Sequence, residues 1–369
     1  MTMYDFAVIG GGIAGASVAA QLAPHASLIL LEAESIPGYH STGRSAAFWH
    51  ETLGGPVVQP LSKASLGPLR DGGFLTPRTS LNVAEASNVG LLDTLMANFA
   101  GTGAQLRRLD HEGIRSFVPR AKPDLVSGVL EVDCADIDVG GLLNHYLAEL
   151  RRAGGTVVTD FRVDRLGRSA DTWTIGAHDR TIEARTIVNA AGAWADSIAK
   201  LAGAAPLGLQ PKRRTIVQVR VDGDDVPHDL PLTIDIAGTF YFRPEGTNKL
   251  WLCPHDETPV EASDVAPEEF DVALAIDRFE SVTDWRVLAV EHKWAGLRTF
   301  APDRLPVYGF DPTVEGFFWC AGQGGYGIQT APAAGQLCAA MLLQRAPDPS
   351  IAHIDPAPFS PARFHAGNR

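Results

Sequence analysis

A short apolar run, Tyr4 to Ile9, meets Gly10-Gly11-Gly12-Ile13-Ala14-Gly15 with no spacer, and small helix-compatible residues follow from Ala16 to Leu22. Pro24 stops that helix, and a second apolar run, Ser27 to Leu31, ends at Glu32. The order strand, glycine turn, helix, strand predicts a βαβ unit with both strands buried. The glycines have separate tasks. Gly10 permits a tight turn, Gly12 lets the backbone approach a pyrophosphate, and Gly15 lets helix and strand pack closely. The helix N-terminus, beginning with Ile13 and Ala14, offers free N–H groups and a positive dipole end to phosphates. Glu32, at the tip of the second strand, is placed to accept hydrogen bonds from a ribose diol and to repel a 2′-phosphate. The motif alone leaves NAD and FAD open, and its bland reading is a glycine turn without a ligand.

Two stretches carry no Asp, Glu, Lys or Arg: Phe6 to Leu31 and Gly316 to Gln344. The first holds glycines, a proline and a histidine and follows Asp5 rather than a basic run, so it reads as neither signal peptide nor spanning helix. The second contains Gly-Gln-Gly-Gly-Tyr-Gly, whose backbone would be unpaired in lipid. Both read as buried walls around something large. A net charge of −12 argues against nucleic-acid partners. Cys134, Cys253, Cys320 and Cys338 show no metal-ligand spacing, so no metal site is expected, and they read as reduced thiols of a cytoplasmic protein.

The 369 residues allow roughly two domains. The loop Pro37 to Glu51 reads as entering a helix near Ser45. Leu91, Leu92, Leu95, Met96 and Phe99 share a helical face. Asp138 is placed to cap a helix carrying Leu142, Leu143, Tyr146, Leu147 and Leu150, ended by Gly154-Gly155. Thr156 to Val163 and Thr186 to Ala190 read as strands. From Arg214 to Trp251 the apolar residues alternate between turn residues, which predicts an antiparallel sheet. Pro267 to Val282 reads as a helix, and the proline-rich tail after Pro347 as irregular. The acidic cluster Glu131, Asp133, Asp136 and Asp138 does not fit a calcium loop and reads as solvated surface plus a helix cap.

The loop Pro37-Gly38-Tyr39-His40-Ser41-Thr42-Gly43-Arg44-Ser45-Ala46-Ala47, with Asn189-Ala190-Ala191-Gly192-Ala193-Trp194, resembles the D-amino-acid oxidase superfamily of FAD enzymes, and within it the bacterial FAD-dependent D-arginine dehydrogenases. Leu207 to Thr215, Trp294-Ala295-Gly296-Leu297-Arg298 and Gln323 to Thr330 extend the resemblance nearly end to end. It implies an α/β fold: a Rossmann-like FAD-binding domain with the GxGxxG βαβ unit, and a second, mainly antiparallel β-sheet substrate domain. The expected boundaries are 1–78, 138–212 and 299–369 for the FAD-binding domain, with 79–137 and 213–298 for the substrate domain. The implied cofactor is FAD, held non-covalently. Ser45 and Ala46 are expected beside the flavin ring, Val163 at the adenine through its backbone, and Gly325, Tyr326, Gly327 and Ile328 against the flavin. Thr42, Gly43, Arg44, Ala47, Ala191, Gly192, Trp194, Gly324, Gln329 and Thr330 complete the implied cofactor contacts.

Arg214 and Arg298 match the positions that hold the substrate carboxylate, and Tyr241 matches a tyrosine that also reaches it. Their own setting agrees. Arginine's planar fork meets two carboxylate oxygens at once. Arg214 lies on the alternating strand, sharing a face with Lys212 while Arg213 takes the other. Arg298 sits in an otherwise uncharged run, and an arginine embedded in apolar sequence needs a partner. The competing reading for either is a structural ion pair, and for Tyr241 it is core packing. His50 could assist at the amine, although a pocket-wall or capping role is the simpler reading. The implied chemistry is hydride transfer from Cα to flavin N5, then hydrolysis of the imino acid to the 2-oxo acid. The chain departs from the arginine enzymes at Ser80, where they have an acid, at Leu53, where they have a lid tyrosine, and at Phe48, where they have a histidine. With Trp49 and Gly325 these residues predict a greasy pocket, and an apolar or aromatic D-amino acid rather than a cationic one. The electron acceptor, whether quinone, carrier or O2, is left open, with dehydrogenase favoured over oxidase. N-methyl amino acids and 2-hydroxy acids would suit the same clamp. A flavin-binding protein without turnover has no need of one.

Overall fold

The computed structural model describes residues 3–365. β1 (Met3–Ile9), α1 (Ile13–Leu22) and β2 (Leu28–Leu31) form the anticipated βαβ unit, with the two strands parallel and adjacent. They belong to an eight-stranded sheet. Arg180–Asn189 lies parallel to β1 on one side, and Thr156–Val158 lies parallel to β2 on the other. Phe317–Ala321 joins parallel to Arg180–Asn189 and carries Val307–Phe310 antiparallel beside it. One face is covered by α1, the helix Val139–Arg152 and the helix Gly327–Leu342. Gly335 is what lets the last of these lie against α1, since a Cβ there would sit 3.0 Å from the Ser17 carbonyl oxygen. The other face buries Trp173, Ile175, Phe317 and Trp319.

The second sheet has nine strands and is antiparallel except where Leu232–Asp235 runs parallel to Ser80–Ala84. Near one end of the sheet lies the long strand Gln210–Val221, paired with Val287–Phe300 along one edge and with Lys249–Cys253 along the other. The period of two decides what faces where. Val217, Val219 and Val221 enter a core with Phe242, Leu252 and the helix residue Phe279. Arg214 and Ile216 face the opposite way, toward the first sheet, as do Tyr241 and Arg298 on neighbouring strands. Arg213 takes the helix side, where its guanidinium meets Asp271 at 2.8 Å and also Glu268.

Several expectations are corrected. No helix starts near Ser45. Residues 45–47 are irregular, and Phe48–Trp49 is a short strand paired with Ala135–Ile137. The strand from Thr156 ends at Val158, because Asp160 turns the chain with φ of +52°. The helix Val89–Asn98 buries only Leu92, and Leu91 is exposed. The tail after Pro347 is irregular, as expected, apart from the 3₁₀ turns Ala357–Phe359 and Pro361–Phe364, and it packs Ile351, Ile354 and Phe359 into the first core; its last four residues lie outside the described ones. Glu131 is no surface residue: it is 1% exposed. Asp136 is also held, between Arg78 at 2.6 Å and Arg243 at 2.8 Å. Asp138 does cap its helix, accepting from the Gly141 N–H at 2.9 Å, and that helix buries the five anticipated apolar residues. All four cysteines are buried and unpaired. Among the described residues no helix is long and apolar enough to cross a membrane.

Candidate active site

A cavity of about 350 Å³ runs from the glycine turn of the first sheet to the inward face of the second. At one end lie Gly10, Gly12, Ile13, Ala14 and Glu32. Gly10 has φ of +110°, and a Cβ there would lie 2.3 Å from the Ala190 carbonyl oxygen, so only glycine can make this turn. Gly15 does not line the cavity. A Cβ at Gly15 would lie 1.9 Å from the Gly10 carbonyl oxygen, so its task is helix–strand packing. Gly12 has only the Thr42 hydroxyl near its missing Cβ, which leaves its backbone free for a ligand. Thr42 also accepts the Ile13 N–H at 3.0 Å, capping α1 from the neighbouring loop. Glu32 has a part the sequence did not reveal. One carboxylate oxygen accepts the Gly11 N–H and the other the Glu34 N–H, both at 2.8 Å, so it fixes the turn and keeps lone pairs for a further donor.

The walls continue along Arg44, Ser45, Ala46, Val163, Ala191, Gly192, Trp194, Gly324, Gly325, Gly327 and Ile328. They are mostly neutral, with bare backbone at the glycines. This suits a long ligand with phosphates at one end and a flat ring at the other. Tyr39 and His40, from the loop after Glu32, and Phe161 also line it. The His40 ring lies 4.7 Å from that of Trp194, and its Nε2 is 3.1 Å from Glu34. Other anticipated contacts are absent from the wall. Gly43 and Ala47 lie behind it. The Tyr326 hydroxyl donates to the Arg304 carbonyl, and Thr330 donates to the Tyr326 carbonyl. Gln329 is buried and clamps the His50 backbone and the Ser62 hydroxyl.

At the far end Arg214, Arg298 and Tyr241 converge on the cavity with Ala46, Ile216 and Gly325. Register brings them together: Lys212 pairs with Arg298, and Arg214 with Gly296, across the two longest strands. Arg298 makes no ion pair among the described residues, and burial first, then the charge of Arg214, lower its pKa. Arg214 meets Glu257 through Nη2 at 3.2 Å, while its buried Nε and Nη1 have no partner among the described residues. The buried Tyr241 hydroxyl has none either, and burial raises its pKa. Five N–H groups of a guanidinium seldom stay unmatched inside a protein. Two arginines and a hydroxyl aimed at one space offer donors of the kind a carboxylate's two oxygens would accept.

Two residues that shape this end were not anticipated. Glu257 also takes Lys212 at 3.0 Å and both Arg304 terminal nitrogens at 2.8 and 2.9 Å. Burial alone would raise its carboxyl, yet the bonds to Arg304 and Lys212 and the nearby charges bring it down to about 2. His255 lies beside Tyr241 with its Nδ1 2.7 Å from the Gly238 carbonyl. Burial, reinforced by Arg214 and Arg298, lowers its pKa to about 3, so the ring is neutral near pH 7. The turn Cys253–Glu257 has no periodicity from which either role could be read.

The anticipated greasy pocket is corrected. Phe48, Trp49, Leu53 and Ser80 do not line the cavity. Phe48 packs with Ile216, Leu232, Tyr241 and Cys253 directly behind its wall. Trp49 belongs to the core under α1 and donates to the Ser62 carbonyl at 3.0 Å. Ser80 is fully buried against the Leu232 carbonyl. His50 is also off the wall. It stands 3.6 Å from Glu131, whose carboxylate accepts the Glu51 N–H and the Thr52 hydroxyl, each at 2.6 Å. Short-range sequence cues could not show this, because Phe48–Trp49 pairs with Asp136 and Ala135 and Ser80 with Glu131, contacts distant in sequence.

A family model described as FAD dependent oxidoreductase matches residues 5–341. Glycine oxidase of Geobacillus kaustophilus is 26% identical over 397 residues, covering 99% of this chain and 98% of the relative. Its crystal structure superposes with a TM-score of 0.85 at 21% identity, covering 98% of this chain and 99% of that one, a likeness of fold. FAD-dependent oxidoreductase domain-containing protein 1 of Xenopus laevis is 28% identical over 239 residues, 58% of this chain and 45% of the relative's length. Human mitochondrial dimethylglycine dehydrogenase is 23% identical over 378 residues, 95% of this chain and 43% of the relative. The chain therefore spans less than half of these last two relatives. It belongs to the DAO family of FAD-dependent oxidoreductases, and its cofactor is FAD.

Proposed function

We propose that this member of the FAD-dependent oxidoreductase family oxidises the Cα–N bond of an α-amino acid with an uncharged side chain, in the first instance a D-amino acid. The product is the imino acid, which water hydrolyses to the 2-oxo acid and ammonia. FAD, when bound, supplies the acceptor for the two electrons removed from the substrate. The glycine turn, Glu32 and Thr42 would hold its dinucleotide part, and Ser45, Ala46 and Gly324 to Ile328 its ring end. The observation that carries the proposal is the pairing of Arg298, which has no ion pair, with the two unmatched nitrogens of Arg214 and the unmatched Tyr241 hydroxyl. An entering carboxylate would relieve the mutual repulsion of the two guanidinium groups. It would also be fixed by two charge-assisted forks, which sets the direction of the Cα–H bond. Among the described residues, the only carboxylates on the cavity wall are Glu32 and Glu34, at the dinucleotide end. A cationic side chain would meet no counter-charge beside Ile216, Ala46 and Gly325, at a cost of about 3–5 kcal/mol. This supports apolar over basic substrates and sets the chain apart from an arginine-specific enzyme.

The test is a substrate panel with an artificial dye acceptor, comparing kcat/KM for D-leucine, D-phenylalanine, D-alanine, D-arginine and their L-isomers. Uncharged D-isomers are expected to exceed D-arginine by at least tenfold, and D-arginine as the best substrate would refute the proposal. N-substituted glycines are the second reading, favoured by the likeness to dimethylglycine dehydrogenase across 95% of this chain. Sarcosine and dimethylglycine belong in the same panel, since the clamp treats their carboxylate alike.

A further inference from the structure

The loop that lines the cofactor cavity from Gly38 to Ala46 is tied across to the second sheet by a series of polar contacts. The Ser41 hydroxyl donates to the Leu297 carbonyl at 2.7 Å. Trp294 donates its indole N–H to the Arg44 carbonyl at 3.0 Å, and Arg44 Nη1 donates to the Ala295 and Val265 carbonyls at 3.3 and 3.1 Å. The remaining ties converge on Asp264, which lies between the short strand Thr258–Pro259 and the helix Glu269–Val282. Its Oδ2 accepts the Tyr39 hydroxyl at 3.1 Å, its Oδ1 pairs with Arg44 Nη2, and the Arg44 guanidinium lies 5.1 Å from the centre of the Tyr39 ring. Tyr39 and Arg44 line the cavity, whereas Asp264 and Val265 do not. Asp264 therefore touches the cofactor loop from outside.

The geometry points to Asp264 as a positioning residue, a latch between the two sheets that holds the Tyr39–Arg44 loop closed over bound FAD. The Arg44 side chain is largely buried while Asp264 remains half exposed, so the carboxylate is the part of the latch that water and salt can reach. Opening the loop to release a dinucleotide would require both side chains to leave Asp264 together. The hydrogen bond from Arg44, seconded by that from Tyr39, keeps the Asp264 carboxyl below its ordinary range, so the latch stays charged throughout the neutral region. The ties at Ala295 and Leu297 flank the strand segment leading to Arg298, so the same closure holds the cofactor loop and the arginine strand in one register.

The test uses FAD-loaded full-length protein without substrate, so its outcome does not depend on which substrate is oxidised. Release of FAD is followed by the rise of free-flavin fluorescence after dilution. Asp264→Asn is expected to release FAD about three- to tenfold faster than the unaltered protein, the scale of one part-exposed ion pair plus a hydrogen bond. Tyr39→Phe should show a smaller acceleration. Added salt should speed release from the unaltered protein and change the Asp264→Asn rate far less. Asp303→Asn removes another part-exposed carboxylate, paired with Arg363 at 2.7 Å and unconnected to the loop, and should leave the rate unchanged. Release from Asp264→Asn at the unaltered rate, or equal acceleration in Asp303→Asn, would overturn the latch.

Discussion

Replacing Arg298 by methionine separates a ligand-holding arginine from a structural one, because the two roles predict opposite changes in stability. Burial and the neighbouring charge of Arg214 both disfavour the Arg298 charge, and no carboxylate pairs with it among the described residues. Methionine keeps much of the volume and removes that cost. The apoprotein is therefore expected to hold or gain stability, by about 0–2 kcal/mol, whereas removal of one partner from a buried structural pair costs about 3–5 kcal/mol. Substrate binding should move the other way. A lost fork of two charge-assisted hydrogen bonds, with Arg214 still in place, corresponds to about 3–4 kcal/mol, or two to three orders of magnitude in kcat/KM. Thermal unfolding of the apoprotein and steady-state kinetics of the FAD-loaded enzyme read the two effects separately. A clear fall in the unfolding temperature, or kcat/KM within fivefold of the unaltered enzyme, would refute the assignment of Arg298 to the carboxylate.

Further outcomes follow from the same geometry. Gly15→Ala forces a Cβ to within 1.9 Å of the Gly10 carbonyl oxygen, so α1 must shift off the turn; weakened FAD retention and a loss of about 2 kcal/mol or more are expected by fluorescence and urea titration. Glu131→Ala strands the Glu51 N–H and the Thr52 hydroxyl in the core and should cost about 2–4 kcal/mol, with little change in KM, because Glu131 is not on the cavity wall. His255 gives a pH signature. Its folded pKa of about 3 lies below the ordinary value of 6.5, so between these limits the unfolded chain binds a proton that the folded chain refuses. Its stabilising contribution is complete above pH 6.5 and declines as pH falls toward 3, by about 2 kcal/mol at pH 5. His255→Gln should flatten that part of the acid limb in urea midpoints measured from pH 7 to pH 5; an unchanged slope would contradict the assignment.

Legibility in the sequence followed the range of the physics involved. The βαβ unit was readable because its turn, cap and burial are set within a few tens of residues. The helix capped by Asp138 was readable for the same reason. Strict alternation put Lys212 and Arg214 on one face and Arg213 on the other, and the structure keeps that division. The placement of Phe48, Leu53 and Ser80 was not readable. Phe48 takes its direction from a two-residue strand that pairs with Asp136 and Ala135, and Ser80 from pairings with Leu232 and Glu131, all contacts distant in sequence. Glu131 looked solvated because it stands among acids, yet the 50–54 turn folds over it and supplies its donors. Glu257 carried no pattern at all. It matters because three cations meet it, Lys212 and Arg214 from one strand and Arg304 from a distant loop.

The most direct test of the central claim is an anaerobic absorbance titration of the FAD-loaded protein with single amino acids. Uncharged D-amino acids are expected to bleach the flavin band, while D-arginine and L-isomers do so weakly or not at all. Yellow protein that no α-amino acid or N-methyl amino acid bleaches would contradict the assignment of Arg214, Arg298 and Tyr241 to an amino-acid carboxylate.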